Sequence, residues 1–545
     1  MAFTADKVRQ GVQQAAAGGY SVDNSLRFNA NDSPYLSRTF GTATNRKKWT
    51  ISMWVKLGTT SSTTARLFGG KGSGDYCSMA IENTGTLTYW VYGGNGQLTT
   101  TQLFRDPSAW YHIIWSVDTT QSTASNRIKL YVNGEQVTDF ATSNYPSQDF
   151  NTYINNSSDH DIGRDSWYGN HFWGGYMSEI NFIDGQALDH TSFGETGDYG
   201  EWKPIEVTGM TYGTNGFYLD FSNSGSLGTD ASSNTNNWTV NNLAATDQML
   251  DSPTNNFCTW NPLAPNHADG IDLKEGNLSN NLNRTSHSAT FGFDSGKWYW
   301  EFLAVTANFM LGLVDRVDIR ADSGHHYLFI SHDNQQAANG TTLDTDSFSS
   351  ASAGDIIGFA YDVDAQTMDI YQNNSLVLEF STVPKTKTNY FFCDRSANAT
   401  GYQVVNFGQD SSFAGNKTAQ GNQDGNEIGD FYYSVPTGFL ALCTNNLTGI
   451  STPYQAYSSC STEDEYKEVT YTGNGSSDGT FIYLGFLATN ICIDGTNYTN
   501  ASTSSFDFLS NGIKCRSTTK NSNGTSYTLE AWVDTDFKYN TAEGN

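Results

Sequence analysis

One hairpin pattern occurs twice in this chain and limits what the chain can fold into. The first copy is Trp110–Val137 and the second is Gly354–Val377. In each copy, an apolar strand that ends in Asp precedes a strand with Tyr near its end and a two-residue turn, Asn133-Gly134 or Asn373-Asn374. Asn and Gly tolerate the positive φ angles of tight hairpin turns. Each copy is therefore predicted to be the central hairpin of a β-sandwich.

The segment WTISMWVKL shows the same strand periodicity. One face of the predicted strand carries Trp49, Ile51, Met53, Val55 and Leu57. The other face carries Thr50, Ser52, Trp54 and Lys56. A period of two residues is typical of a half-buried strand. With aromatic residues at 14% and turn residues throughout, the chain is predicted to be all-β, built of tandem antiparallel jelly-roll sandwiches.

The length and net charge of the chain limit how many domains it can have and which partners it can bind. A chain of 545 residues suggests about three or four domains. The net charge of −27 makes nucleic acid and anionic membranes poor partners, because phosphate repels such a surface. The charge fits either simple solubility or a surface that works in salt water or binds divalent cations.

Several motifs that would indicate other classes are missing from the sequence. The seven cysteines contain no Cys-x-x-Cys pair, so zinc is not indicated, and most are predicted to be small buried side chains, with some disulfides left open. No apolar run reaches the length of a membrane span. The start MAFTADKVRQ has no apolar core of signal-peptide length, so export by the usual route is not expected.

Residues 1–19 are predicted to form an anchor with a short N-terminal helix, Thr4–Ala17. Thr4 caps its start, Gly18-Gly19 ends it, and Val8 and Val12 lie on its apolar stripe. A helix of this length is marginal alone, so the stripe would pack on its own domain, a symmetry mate or another protein. A frayed terminus is the alternative.

Five segments within residues 20–188 follow one another in the order of a known sandwich. They are SLRFN, WTISMWVK, WYHIIWSVD, IKLYVNGEQV and GYMSEINFIDGQAL. Their order and spacing resemble the strands of a laminin-G-like, concanavalin A-like jelly roll. The resemblance implies a two-sheet sandwich that serves as a carbohydrate-binding or adhesive module, in some members with calcium.

Residues 264–447 contain four motifs of a second sandwich. These motifs are GKWYWEF, NFMLGLV, GDIIGFAYDVDAQTMDIYQNNSLV and YQVVNFGQ. In this order they resemble a SPRY domain. The resemblance implies a binding module that uses loops at one end and carries no catalytic residues.

The remaining segments are shorter. Residues 189–263 are predicted to be a polar connection, in which FYLDF adds a strand to the first sandwich and the rest is a linker. Residues 448–468 form a second linker. Residues 469–545 resemble a small β domain at the ends of phage tail-fibre-like proteins. Its small core predicts packing on the second sandwich or on another subunit.

Glu179, Asn181 and Asp184 are the nearest match to a catalytic pattern. Glucan hydrolases of the concanavalin A-like fold carry Glu-x-Asp-x-x-Glu on one strand, because the chemistry needs a nucleophile paired with an acid/base. Here Asn replaces the middle Asp and Asp replaces the second Glu. The chain is therefore expected not to be an enzyme and to have no catalytic residues.

The loop DSWYGNHFWGG supplies the candidate glycan contacts Trp167, Tyr168 and Trp173. Aromatic rings stack on the apolar faces of sugars, and a mixture of aromatic residues and glycine suits a shallow platform. Phe172 and Trp173 alternatively begin the closing strand and enter the core, which is the favoured interpretation for those two. Trp167 and Tyr168 are expected to be exposed.

Asp23, Asp161 and Asp165 are the candidate metal ligands. Calcium takes six to eight oxygen ligands that come from scattered loop positions, so spacing alone does not define a site. There is no EF-hand pattern. Calcium is therefore the one cofactor that is considered, and no other is expected.

The set of domains resembles tail-fibre or head-fibre proteins of tailed bacteriophages. This implies a virion appendage that binds host cell-surface polysaccharide during adsorption, contacts other virion structural proteins and forms a homo-oligomer, with a trimer favoured. Assembly in the host cytoplasm and release by lysis fit the start without a signal peptide. The alternatives are a capsid head-fibre or decoration protein, a bacterial surface adhesin, and a glucan hydrolase.

Overall fold

A computed structural model describes most of the chain between Gly19 and Trp532. The described residues are 3–4, 19–58, 64–72, 74–197, 201–262, 273–282, 287–293, 295–306, 310–314, 326–331, 336–338, 341–342, 351–381, 383, 389–394, 401–447, 466–477, 479–484, 488, 490–499, 505–509 and 512–532. The two anchor candidates, Val8 and Val12, lie outside them. Of the predicted N-terminal helix only Thr4 is described, and it belongs to a strand, Phe3–Thr4, that pairs with Phe291–Gly292.

The prediction of an all-β protein built of antiparallel sandwiches is confirmed. The helical segments in the described part are short 3₁₀ turns: Ala30–Asp32, Tyr92–Gly94, Ala124–Asn126, His190–Ser192, Ala245–Asp247 and Thr444–Asn446. None of the helices among the described residues has the length and apolar character needed to cross a membrane. The described residues up to Leu447 form one compact unit that holds both larger sandwiches, and the described residues from Tyr466 to Trp532 belong to another.

The first sandwich consists of two sheets. The sheet that contains the predicted hairpin, here called the hairpin sheet, has the order Glu135–Val137, Ile128–Val132, Trp110–Asp118, Lys48–Leu57, Gly175–Asp184, Ser25–Phe28, Gln248–Met249, with Phe217–Leu219 also paired to Gly175–Asp184. The opposite sheet has the order Phe140–Asn144, Gly96–Leu103, Thr86–Val91, Tyr76–Ile81, Ala65–Lys71, Asp159–Ile162, Tyr35–Thr39, Thr239–Asn241. Apolar side chains of both sheets interdigitate between them to form the core.

The turn of the first hairpin has the predicted geometry. Asn133 and Gly134 both have positive φ, at 48° and 84°. A side chain at Gly134 would also collide with Trp202, since its Cβ would lie 2.3 Å from Cε3 of that ring. In the second copy Asn373 and Asn374 likewise have positive φ, at 51° and 68°. The chemistry of the turn residues is thus sufficient to define both turns.

The prediction that each hairpin is central in its sheet is wrong. The strand Glu135–Val137 is the edge of the hairpin sheet, and Ser375–Phe380 is the edge of the corresponding sheet in the second sandwich. The middle of the hairpin sheet is formed by Lys48–Leu57 and Gly175–Asp184, which come from distant parts of the sequence. Long-range pairing of this kind leaves no local signal in either strand.

The connecting segment covers the outer face of the hairpin sheet. It forms a two-stranded ribbon, Gly194–Thr196 with Trp202–Pro204, and also supplies strands to both sheets of the first sandwich. Trp202 packs beside a buried cluster of Trp54, Trp110, Tyr176 and Met249. The outer face of the hairpin sheet, which carries the polar positions of the alternating pattern, is therefore buried inside the protein.

The second sandwich is built in the same way. One sheet has the order Leu273–Lys274, Ser279–Leu282, Gly401–Asn406, Lys297–Ala304, Ile356–Asp362, Thr367–Gln372, Ser375–Phe380, with Leu440–Ala441 paired to Lys297–Ala304. The other has the order Phe3–Thr4, His287–Phe293, Asn389–Asp394, Met310–Val314, His326–Ser331, Gln336–Ala338, Thr341–Thr342.

The C-terminal unit contains two small sheets. They are Tyr466–Thr472, Ser526–Trp532, Asn490–Ile493, Thr496–Thr499 and Phe481–Tyr483, Gly512–Cys515, Phe506–Leu509. Its core is a single cluster around Ile491, Leu529 and Ile513. Among the cysteines that the structure describes, Cys77, Cys258, Cys443, Cys492 and Cys515 are free thiols.

Two buried cations hold the larger sandwiches together. Arg27, on a strand of the first sandwich, lies 2.9 Å from Asp410, 3.2 Å from Asp247 and 3.5 Å from Glu275. Lys56 forms a second buried ion pair, with Asp251 of the connection. Buried charges are tolerated only when they are paired and hydrogen-bonded, so these contacts define how the two sandwiches meet.

Candidate functional site

Five aromatic rings meet on the outer face of the opposite sheet. The ring of Tyr76 lies in the middle, with its centroid 5.5 Å from that of Trp167 and nearly parallel to it, at 13°. The ring centroid of Tyr76 also lies 5.3 Å from that of Tyr92, 4.9 Å from that of Trp90 and 5.7 Å from that of Tyr168. We call these five residues the ring cluster.

Three rings of the ring cluster are open to solvent. Tyr168 is 60% exposed, Tyr92 is 43% exposed and Trp167 is 39% exposed, whereas Tyr76 is buried beneath its neighbours. Tyrosine and tryptophan combine a large apolar ring with a polar atom, which makes them effective contact residues at surfaces. The ring cluster is therefore a concentrated, partly exposed apolar platform on this sheet.

Strand alternation places two of these rings. In Tyr76–Ile81, the side chain of Cys77 enters the core, so Tyr76 points outward. In Thr86–Val91 the same alternation turns Trp90 outward. Sequence reasoning missed Tyr76, Trp90 and Tyr92. The signal that could have found Trp90 is a large aromatic residue at the outward position of a strand whose inward positions are already apolar.

A carboxylate holds the loop that carries the other two rings. Asp165 Oδ1 accepts the backbone N–H of Trp167 at 2.8 Å and that of Tyr168 at 3.0 Å. Its other oxygen lies 3.3 Å from Arg66 Nε, and the carboxylate is buried. The shape of this loop therefore depends on the backbone and on Asp165, and not on the exposed rings themselves.

The expectation that Trp173 contacts glycan is wrong. Its side chain is only 1% exposed and belongs to the core of the first sandwich. The backbone N–H of Trp173 donates to the carbonyl of Gly163, which directs the chain inward just before the closing strand Gly175–Asp184. The alternative interpretation, that this residue begins the closing strand and enters the core, is the one that the structure bears out.

The three candidate metal ligands are bound to other groups. Asp161 Oδ2 lies 2.7 Å from Arg164 Nε, Asp165 holds the loop described above, and Asp23 accepts a hydrogen bond from the Ser21 hydroxyl at 2.9 Å. Across the part of the chain that the structure describes, no group of three or more His, Cys, Asp or Glu side chains is arranged to hold a metal ion.

Glu179 is a buried carboxyl with an unusual environment. It lies at a β-bulge in Gly175–Asp184 and has a positive φ of 51°. The hydroxyls of Tyr218 and Tyr20 donate to it at 2.8 and 2.9 Å. Burial raises the pKa of Glu179 to about 7, although the two tyrosine hydrogen bonds oppose that shift.

The rest of the hydrolase-like pattern is engaged in structural contacts. Asp184 accepts hydrogen bonds from the backbone N–H groups of Thr44, Asn45 and Asn215 and from Asn155 Nδ2. Asn181 Oδ1 accepts the hydroxyl of Tyr212 at 2.7 Å. Glu179 has the raised pKa of a general acid, its hydrogen-bond partners are two tyrosine hydroxyls, and the charges of Asp220 and Asp23 add to the rise in its pKa.

Comparison with known proteins defines the class of the first sandwich. Residues 29–191 match a laminin G-type family described as the concanavalin A-like lectin/glucanases superfamily. The first sandwich thus has a concanavalin A-like fold. No curated protein matches the chain at a significant level.

Three solved structures match parts of the chain. The SPRY domain of human HERC1 is 16% identical over 27% of this chain and 96% of that chain, with a TM-score of 0.22. The heptameric SAP-like pentraxin from Limulus polyphemus is 18% identical over 31% and 78%, with a TM-score of 0.24. The PSpry domain of TRIM65 is 15% identical over 27% and 91%, with a TM-score of 0.23.

Proposed function

We propose that this protein binds a cell-surface glycan through the ring cluster. The observation that carries this proposal is the gathering of five aromatic residues, three of them exposed, on a sandwich that matches a lectin and glucanase superfamily. Exposed apolar patches on a folded protein mark interaction sites. A sugar ring has one apolar face and a rim of hydroxyls, so it complements aromatic rings that are bordered by polar groups.

The glycan belongs to a host cell, and the protein is an appendage of a tailed bacteriophage. The support is the order of domains in the sequence, which resembles phage fibre proteins. In this proposal the protein attaches to other virion structural proteins as a homo-oligomer, a trimer in the favoured case. It binds without cleaving, because Asp184 is committed to four hydrogen bonds within the fold.

Replacing Trp167 with alanine is expected to weaken glycan binding about tenfold, or about 1.4 kcal/mol, by removing one exposed stacking face. The domain should stay folded and lose only about 1 kcal/mol of stability from the missing Trp167–Tyr76 stacking, because Asp165 holds the loop through backbone N–H groups that the variant keeps. Binding is measured by affinity electrophoresis in gels that contain the polysaccharide, and unfolding is measured by thermal melting.

Leu103→Ala is the matched control for Trp167→Ala. Leu103 is 45% exposed and lies on the same sheet, but outside the ring cluster. The Leu103→Ala variant is expected to bind the glycan as tightly as the parent protein does. Equal binding by Trp167→Ala and the parent would place the glycan elsewhere and overturn the assignment of the ring cluster.

Gold-labelled antibody against residues 264–447, applied to purified particles and viewed by electron microscopy, tests the location. Gold at the tail is the expected result for an adsorption fibre. Gold over the capsid shell would indicate the alternative, a head-fibre or decoration protein. Gold on cell envelopes with none on particles would replace the virion proposal with a surface adhesin.

A further inference from the structure

Two arginines at the edge of the ring cluster are paired with carboxylates. Arg66 lies 3.3 Å from Asp165 and 3.6 Å from Glu82. On the loop that carries Trp167, Arg164 is paired with Asp161 as described above. A carboxylate or sulfate on a ligand would have to displace one of these acids from its arginine.

Among the described residues, Lys71 is a further cation near the rings, and it is paired too. It stands opposite Tyr76 in the two neighbouring strands, and its Nζ lies 2.7 Å from Asp159 Oδ2. With a net charge of −27 on the chain, a polyanion approaching this face is repelled.

Uncharged polar groups border the rings instead. Gln97 is the cross-strand neighbour of Trp90, and its amide donates to the hydroxyl of Thr99 at 3.3 Å. Ser78 lies on the same face as Tyr76, two residues along the strand, and within the described structure its buried hydroxyl has no hydrogen-bond partner. Hydroxyl and amide groups both donate and accept, as sugar hydroxyls do.

We propose that the ring cluster takes an uncharged polysaccharide, whose sugar faces stack on Trp167 and Tyr92 and whose hydroxyls bond to Gln97 and Thr99. This inference rests on the proposed function, because it narrows the class of glycan that binds at the same site. Stacking is indifferent to ligand charge, so the paired ions and the neutral polar border are what select against acidic polymers.

The test compares neutral with acidic polymers, using the full chain and Trp167→Ala. Galactomannan, mixed-linkage β-glucan and dextran are the neutral probes, and alginate and chondroitin sulfate are the acidic ones. Each is measured at low salt and at about 0.3 M salt, where charge attraction is screened. We expect at least one neutral polymer to bind, with an affinity that does not change with salt and that falls in Trp167→Ala.

Two other outcomes separate this inference from the proposed function. Binding only to acidic polymers, weakened by salt and lost in Trp167→Ala, would overturn the neutral class and leave glycan binding at the ring cluster intact. If none of the five polymers binds in a way that depends on Trp167, both the neutral class of glycan and the proposed glycan binding at the ring cluster are overturned.

Gln97→Lys tests the charge argument directly. It adds a cation at the polar border, and we expect alginate binding to rise about threefold to tenfold at low salt and to return to the parent level at high salt. Gln97→Ala is the control for loss of the amide, and thermal melting checks that both variants fold. A Gln97→Lys protein that folds but gains no affinity for alginate would contradict the role assigned to the paired charges.

Discussion

Replacing Lys56 with methionine is expected to lower the free energy of unfolding of the two-sandwich unit by about 3–5 kcal/mol. Lys56 Nζ lies 2.6 Å from Asp251 Oδ2, and neither side chain has any exposure to solvent. Methionine has a similar volume, so the variant keeps most of the packing but leaves a buried carboxylate without its cation. Urea unfolding followed by tryptophan fluorescence measures the change.

The same ammonium group satisfies two further acceptors. It donates to Asn256 Oδ1 at 2.6 Å and to the carbonyl of Phe257 at 2.9 Å. Asn256 and Phe257 belong to the connection, and Phe257 packs against Tyr299 of the second sandwich. Loss of Lys56 therefore leaves several buried polar atoms unsatisfied at the place where the two sandwiches are joined.

Lys48→Met is the matched control, since Lys48 lies on the same strand and pairs with Asp118 at 3.2 Å while 37% exposed. An exposed pair contributes little, so its loss should change the free energy of unfolding by less than about 1 kcal/mol. The double variant Lys56→Met, Asp251→Leu should recover stability relative to Lys56→Met, because no lone charge stays buried. Equal effects of Lys56→Met and Lys48→Met would contradict the role given to the buried pair.

Replacing Glu179 with glutamine is expected to stabilise the protein above pH 7 and to have little effect near pH 4.5. Burial raises the pKa of Glu179 from its ordinary 4.5 to about 7. A group whose pKa is raised on folding contributes stability that is fully present below pH 4.5 and is lost as pH rises through 7. Above that range the parent protein holds a buried carboxylate, whereas the neutral amide of the variant avoids that penalty.

The expected gain above pH 7 is about 3 kcal/mol, since one unit of pKa shift corresponds to about 1.4 kcal/mol. Glutamine fits the site because the partners are the rotatable hydroxyls of Tyr20 and Tyr218, which can donate to its oxygen or accept from its nitrogen. Urea unfolding of parent and variant between pH 4.5 and 8 gives the difference directly. A difference that does not vary with pH would mean that Glu179 does not titrate in this range.

Glu301 is a natural contrast to Glu179 in the second sandwich. Burial also raises its pKa to about 7, but its two oxygens accept the fixed backbone N–H groups of Tyr433 and Tyr432, each at 2.8 Å. In Glu301→Gln one of these N–H groups would face another donor. We therefore expect this variant to be destabilised by about 1–3 kcal/mol near pH 4.5 and to regain stability relative to the parent as pH rises through 7, so the comparison at pH 4.5 is the control for amide substitution at a buried glutamate.

The Glu179 variant also tests the proposal that the protein binds glycan without cleaving it. A buried carboxyl with a pKa near 7 is suited to act as a general acid. Release of reducing sugar by the parent protein that disappears in Glu179→Gln would establish a hydrolase. Identical baselines for the two proteins on a polysaccharide that both bind are the expected result.

The strands, the turns and part of the candidate site follow from local sequence. Period-two alternation places Trp49, Ile51 and Met53 in the core, and Asn133-Gly134 sets the geometry of its turn. Trp167 and Tyr168 are recognisable because large aromatic residues follow Asp165 in a loop rich in glycine. Each of these features depends on residues that are close in sequence, so the pattern itself carries the information.

By itself, the sequence determined the two-faced strands, their turns and the sandwich class. Only the tertiary structure decided that Thr50 and Lys56, on the polar face of one such strand, are buried, because a segment more than a hundred residues away covers them. It also brought Trp167 beside Tyr76, which lies about ninety residues earlier in the chain. The physical reason is that alternation defines the two faces of a strand, whereas the neighbour that covers each face is set by long-range pairing and packing.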